Sequence, residues 1–203
     1  DLESYRHMIT SILRQKKHCL SSDNEKLLAA FSPVLGSASD TYSYLTNADM
    51  KLGTIHDEEN KEVELNESNF SRYIRSKDRR VRKESFEKLY ESYAGVKNTI
   101  ASLYGSILKY DSINAKLRGY TSSLESYLNQ NNIPTALYNN LIKTINDNLE
   151  PLYEYFELKK KMLGLDEFHL YDGYVSTIKS IDKKYSYEEA KSIVLDALKI
   201  YND

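Results

Sequence analysis

The residues in this chain with chemistry to offer are four histidines (His7, His18, His56 and His169), the single Cys19 and a dense basic run. No histidine has another histidine or a cysteine three to five residues away, the spacing that sets two metal ligands on one helical face or in one turn. His18 and Cys19 are adjacent and would project from a helix in different directions. There is no G-x-S-x-G to present a serine nucleophile. Neither G-x-x-x-x-G-K-[ST] nor G-x-G-x-x-G is present to cradle a phosphate. Carboxylates are plentiful, but nothing in their spacing says which of them meet. By these tests the chain carries no complete active site, and neither a catalytic residue nor a metal ligand is assigned within it.

The basic run is the sharpest local feature. Residues 72–83, RYIRSKDRRVRK, hold seven positive charges against one negative. A nucleic-acid grip would interleave such charges with exposed aromatics for stacking. Here Phe86 and Tyr90 follow in helical register and read as part of a buried stripe. Arg79, Arg80 and Lys83 are expected on the outward face, with Arg82 one turn before Phe86. The run therefore reads as the solvated or ion-paired start of a helix. Lys and Arg total 28 against 30 Asp and Glu, a net charge of -2, which also argues against a phosphate-binding surface.

The elements that would carry these residues are helices. The chain has 203 residues, enough for a real core, with 40% apolar and 29% charged residues as in a globular protein. The only prolines are Pro33, Pro134 and Pro151, which favours long helices. Capping boxes are expected at Ser22 with Glu25, Ser122 with Glu125 and Ser186 with Glu189. Phe86, Leu89, Tyr90, Tyr93, Ile100, Leu103, Tyr104, Ile107 and Leu108 recur at helical spacing. They predict one helix from about Asp78 to Arg118, roughly 60 Å long at about 1.5 Å per residue, with Gly95 and Gly105 as weak points. A second stripe, Leu137, Leu141, Ile145, Leu149, Leu152 and Phe156, follows Pro134. Pro151 should kink or divide that helix, and Gly164 should end it. The stretch KLGTIHDEENKEVEL reads as a single β-hairpin near 52–65, with Leu52, Thr54 and His56 alternating along its first arm. The expected fold class is all-α, with six to eight helices and that hairpin. The expected division is 1–75, helical with the hairpin, and 76–203, a long-helix scaffold. No run approaches the roughly 20 apolar residues of a membrane span. A lone cysteine fits a reducing compartment. The 18 tyrosines fall largely on helical stripes, where a ring can be buried while its hydroxyl reaches water or a carbonyl.

Five phrases then occur in a familiar order: LSSDNEKLLAAFS (20–32), YSYLTNADMKLGTI (42–55), RSKDRRVRKESFEKLYESY (75–93), NTIASLYGSILKYDSINAKLRGYTSSLESYL (98–128) and LGLDEFHLYDGYV (163–175). The chain resembles the oligoendopeptidase F family, within the thimet-oligopeptidase-like zinc metallopeptidases, over nearly its whole length. The resemblance implies a clam-like, mostly helical cytoplasmic peptidase whose two lobes enclose a channel where unstructured oligopeptides are cut. It implies one zinc ion, held by H-E-x-x-H and a later glutamate. This sequence has no H-E-x-x-H, and HDEEN at 56–60 has the wrong order and spacing. The expectation is therefore an N-terminal lobe without cofactor, partnered by a C-terminal catalytic lobe and an oligopeptide, with no nucleic acid and no membrane. Two phrases carry over to positions that could line or brace the channel: LRGY, with Arg118 and Tyr120, and YDGY, with Tyr171, Asp172 and Tyr174. The competing reading is a non-enzymatic helical module that binds a peptide or protein.

Overall fold

The computed structural model describes residues 2–177 and 185–201. Helices α1 (Arg6–Lys16), α2 (Ser22–Leu35) and α3 (Ser37–Tyr44) come first, and a single π-turn over Leu45–Asp49 closes α3. Strands β1 (Thr54–His56) and β2 (Glu62–Glu64) form an antiparallel hairpin with Ile55 opposite Val63. Then follow α4 (Glu67–Tyr73), α5 (Arg79–Gly95), α6 (Lys97–Leu117), α7 (Ser123–Asn129), α8 (Thr135–Asp147), α9 (Glu150–Met162) and α10 (Tyr187–Leu198). Fold class stands as expected, mostly helical with one hairpin. The ten α-helices of the described residues exceed the expected six to eight, in part because the predicted 78–118 rod is two helices.

The main break is at Val96. It leaves helical geometry (φ -114°, ψ 15°) directly after Gly95 and splits the expected 78–118 helix into α5 and α6. Apolar periodicity runs through the break because one residue out of register hardly disturbs a three-and-four spacing. Gly105, by contrast, sits inside α6 without interrupting it. Pro151 does divide the second rod, and it lies in the first turn of α9, where its missing N–H has no intrahelical partner to lose. Gly164, at φ +65°, follows the end of α9.

The predicted caps are met unevenly. Ser186 and Glu189 form the full reciprocal box. Ser122 accepts from the Glu125 N–H, but the Glu125 carboxylate turns to Thr121 instead. At α2 the cap is Ser21, not Ser22, and Glu25 accepts from the Leu20 N–H.

The principal hydrophobic cluster joins the hairpin to the helices after it. Leu52, Ile55, Leu65, Tyr73 and Val81 are buried together, flanked by Met50, Val63, Phe70 and Leu89. Ile55 is fully buried, while Thr54 and His56 point outward, which corrects the predicted phase of the first arm. The cause is Gly53: its φ of +79° turns the chain between Leu52 and Ile55, so both side chains face the core despite an odd spacing. On α5 the buried residues are Val81, Arg82 and Ser85, whereas Tyr90 is exposed and leaves the stripe assigned to it. Leu137, Leu141 and Ile145 of α8 are all exposed, as are Leu152 and Phe156 on α9. No described helix is long and apolar enough to cross a membrane.

Candidate functional site

Two clusters collect Arg118, Tyr120, Tyr171 and Asp172 of the candidate residues, whereas Arg80 stays on the outer face with Glu84 and the hairpin carbonyls, and Lys83 with Glu87. The first is built where α5 meets the 3-10 turn Leu170–Gly173. Asp172 is fully buried. Its Oδ1 accepts from Arg79 Nε at 3.1 Å and Arg82 Nη2 at 2.9 Å, and its Oδ2 from Arg79 Nη2 at 3.0 Å and the His169 N–H at 3.0 Å. Burial by itself would raise the Asp172 pKa. The hydrogen bonds from Arg79, Arg82 and the His169 N–H outweigh it and hold the carboxyl below the usual range. Arg82, only 3% exposed, also donates to the carbonyls of Ser76 and Lys77. The Arg79 guanidinium lies 5.4 Å from the centre of the Tyr171 ring, whose other neighbours are Phe86 and His169. Lys159 of α9 donates to the Gly173 carbonyl at 2.7 Å and ties that helix to the same turn. Arg79, expected on the outward face, is thus drawn across to the carboxylate.

The second cluster lies where α1, α2, α6 and α7 approach. Arg118 grips the Glu25 carboxylate with two parallel bonds, Nη1 to Oε1 at 2.7 Å and Nη2 to Oε2 at 3.0 Å. It also donates to Asn114 Oδ1 and to the His18 carbonyl. His18 returns a bond from Nδ1 to the Arg118 carbonyl at 2.8 Å, and its ring stacks on Tyr120 at 3.6 Å. The Tyr120 hydroxyl accepts from Asn129 Nδ2. Gly119, at φ +74°, makes the turn that brings Tyr120 back over His18.

Arg118 first, then the Leu20 N–H, lower the Glu25 pKa to about 2. Because the folded value is depressed, the pair adds stability above the ordinary value of 4.5 and loses it as pH falls toward 2. Carboxyl NMR titration of Glu25 should therefore give a midpoint near 2, and Arg118→Gln should return it toward 4.5. An unchanged midpoint in the variant would refute this cause.

Arg118 and Tyr120 thus meet in one cluster, and Tyr171 and Asp172 in the other. Tyr174 joins neither ion-pair network. It is 56% exposed and edges a largely apolar recess with Phe156, Phe168 and Leu170. Sequence reasoning missed Glu25 and His18 as partners of Arg118, and Arg79, Arg82 and Lys159 as partners of the 170–173 turn. Glu25 was legible only as a capping residue, and the arginines only as a charged run. Among the described residues no three His, Cys, Asp or Glu side chains converge on a point where a metal ion could sit.

Family models match this chain in two consecutive pieces, one described as oligopeptidase F over residues 1–51 and one as peptidase family M3 over residues 72–202. The chain is 41% identical to oligopeptidase PepF of Bacillus subtilis over 198 residues, covering 98% of this chain and 30% of that protein. It is 36% identical to group B oligopeptidase PepB of Streptococcus agalactiae, covering 100% of this chain and 34% of the relative. The crystal structure of oligoendopeptidase-F from Enterococcus faecium superposes with a TM-score of 0.83 at 37% identity, over 98% of this chain and 37% of that one. A putative peptidase from Chlamydophila abortus gives 0.84 at 33% identity, over 97% and 33% of the two chains. This chain therefore spans about a third of the length of the curated relatives it matches. With one model matching at its start, the other over most of the remainder, and solved relatives sharing its fold throughout, the chain belongs to peptidase family M3.

Proposed function

We infer that this chain supplies scaffold and channel wall to a zinc-dependent oligoendopeptidase that hydrolyses internal bonds of short, unstructured peptides. The observation that carries this reading is the alignment with oligopeptidases along nearly the whole chain, at about a third of their length. Among the described residues no three His, Cys, Asp or Glu side chains lie close enough to hold a metal ion by themselves, which supports this division of labour. The metal would be held, and water activated, by residues other than these. Bound zinc there would lower the pKa of its water to about 7.

Within this reading the two arginine–carboxylate clusters are braces. Arg118 and Tyr120 hold α6 to the α1–α2 junction, and Tyr171 and Asp172 lock the 170–173 turn onto α5. Tyr174 faces outward beside an apolar recess and is the better candidate for the channel wall. The hairpin of 1–75 and α5 of 76–203 share one hydrophobic cluster, so the two parts act as one scaffold. A cytoplasmic setting fits the exposed thiol of Cys19. The exposed apolar residues of α8 and α9 would be covered by the catalytic lobe. They also suit the second reading, a peptide- or protein-binding module without catalysis.

Purified 1–203 should not cleave a fluorogenic oligopeptide and should not retain stoichiometric zinc after dialysis. Chelator-sensitive cleavage by 1–203 would sink the scaffold assignment. If the natural polypeptide in its complete form, supplied with zinc, also leaves oligopeptides intact, the peptidase reading fails and the binding module takes its place.

A further inference from the structure

The cleft beside His18 has a feature that bracing does not use. His18 is 8% exposed, and its Nδ1 lies 2.8 Å from the Arg118 carbonyl. A carbonyl oxygen only accepts, so Nδ1 carries the proton and Nε2 of the neutral ring is an acceptor. Nε2 is buried and finds no partner among the described residues. Leaving such an acceptor unmatched is costly, and native proteins rarely do so without reason.

The walls around this ring are unusual in composition. Carboxamides dominate a cleft of about 590 Å³, contributed by Gln15, Asn114, Asn129, Gln130 and Asn131. That volume is within the range of small-ligand sites, roughly 300–1,000 Å³. Among the described residues of the wall the one cation, Arg118, is matched by Glu25 through two bonds, so the cleft offers a charged ligand little net attraction. Amide side chains donate and accept at once, which is also the character of a peptide main chain.

We propose that this cleft is an ancillary site for the main chain of an uncharged peptide segment, with a peptide N–H donating to His18 Nε2 and the wall carboxamides pairing the flanking peptide groups. Because Nε2 is enclosed, entry requires side chains of the outer wall to turn aside; those of Gln130 and Asn131 are exposed, while their backbones stay held by Arg14 and by the Leu128 carbonyl. The choice of a peptide rests on the oligopeptide reading above. The site itself needs no zinc and no cleavage.

The test follows the His18 ring nitrogens by long-range ¹H–¹⁵N NMR during titration with N-acetyl-dialanine N′-methylamide. The comparison ligand is the same peptide with every amide N-methylated, which cannot donate. Saturable movement of the Nε2 resonance with the first ligand and none with the second is expected. Asn131→Ala, at an exposed position, should weaken that binding by about tenfold, the order of one lost hydrogen bond. An Nε2 signal that stays still, moves equally with both ligands, or already reports a protonated nitrogen without peptide overturns the proposal. Binding without cleavage by the complete polypeptide would leave this site standing and remove the peptidase reading. Cleavage with a motionless Nε2 would do the reverse.

Discussion

Asp172→Ala destabilises the protein by about 3–5 kcal/mol, the cost of leaving a buried charge without its partner. The substitution strands Arg82, which is 3% exposed and cannot swing into water, and releases Arg79 from the turn. It also removes the acceptor for the His169 N–H, so the 170–173 turn loses its internal tie as well. Equilibrium urea unfolding checks this. The double variant Asp172→Leu with Arg82→Met should recover part of the loss, because an apolar pair of similar volume does not strand a charge. A single variant as stable as the parent would show that the carboxylate contributes nothing net. The pH dependence has a definite sign. Asp172 titrates below its ordinary value of 3.8 in the folded chain, so its contribution is complete above that value and is lost as pH falls through the lowered one. The variant's stability should accordingly lose that part of the acid dependence.

Ile55→Ala costs about 2–5 kcal/mol, from lost transfer free energy and the cavity left behind. The side chain is fully buried among Leu52, Leu65, Tyr73 and Val81, and flanking backbone bonds, from the Leu65 N–H to the Gly53 carbonyl and from the Asp57 N–H to the Lys61 carbonyl, limit how far the hairpin can collapse inward. The same truncation at Leu137, which is exposed on α8, should change stability by no more than about 0.5 kcal/mol. Comparable losses at the two sites would mean that the hairpin cluster is not the organising core. Each loss is read from the shift in urea midpoint at unchanged slope.

Helix content was legible because its signals are local. Ser186 with Glu189 closes its own cap, Pro151 suits the first turn of a helix, where no intrahelical bond is lost, and both act over a single turn. The hairpin could be placed for the same reason, but its phase could not. Its alternation is reset by the positive φ of Gly53, and a sequence pattern does not display a dihedral angle. The break at Val96 escaped likewise, since one displaced residue leaves the apolar spacing nearly intact.

By itself, then, the sequence determined the class of the fold, the family through five phrases in order, and the lack of an H-E-x-x-H among these residues. Those are properties of residue type and near spacing. Only the tertiary structure decided that Arg79 and Arg82 turn to Asp172, about ninety residues away, and that Arg118 turns to Glu25 at a similar separation. Every lysine and arginine in the chain carries the same charge, and pairing energy depends on distance and burial rather than on sequence position. A charge in a list cannot say which carboxylate it will meet; the packing of α5 against the 170–173 turn, and of α6 against the α1–α2 junction, chose the partners.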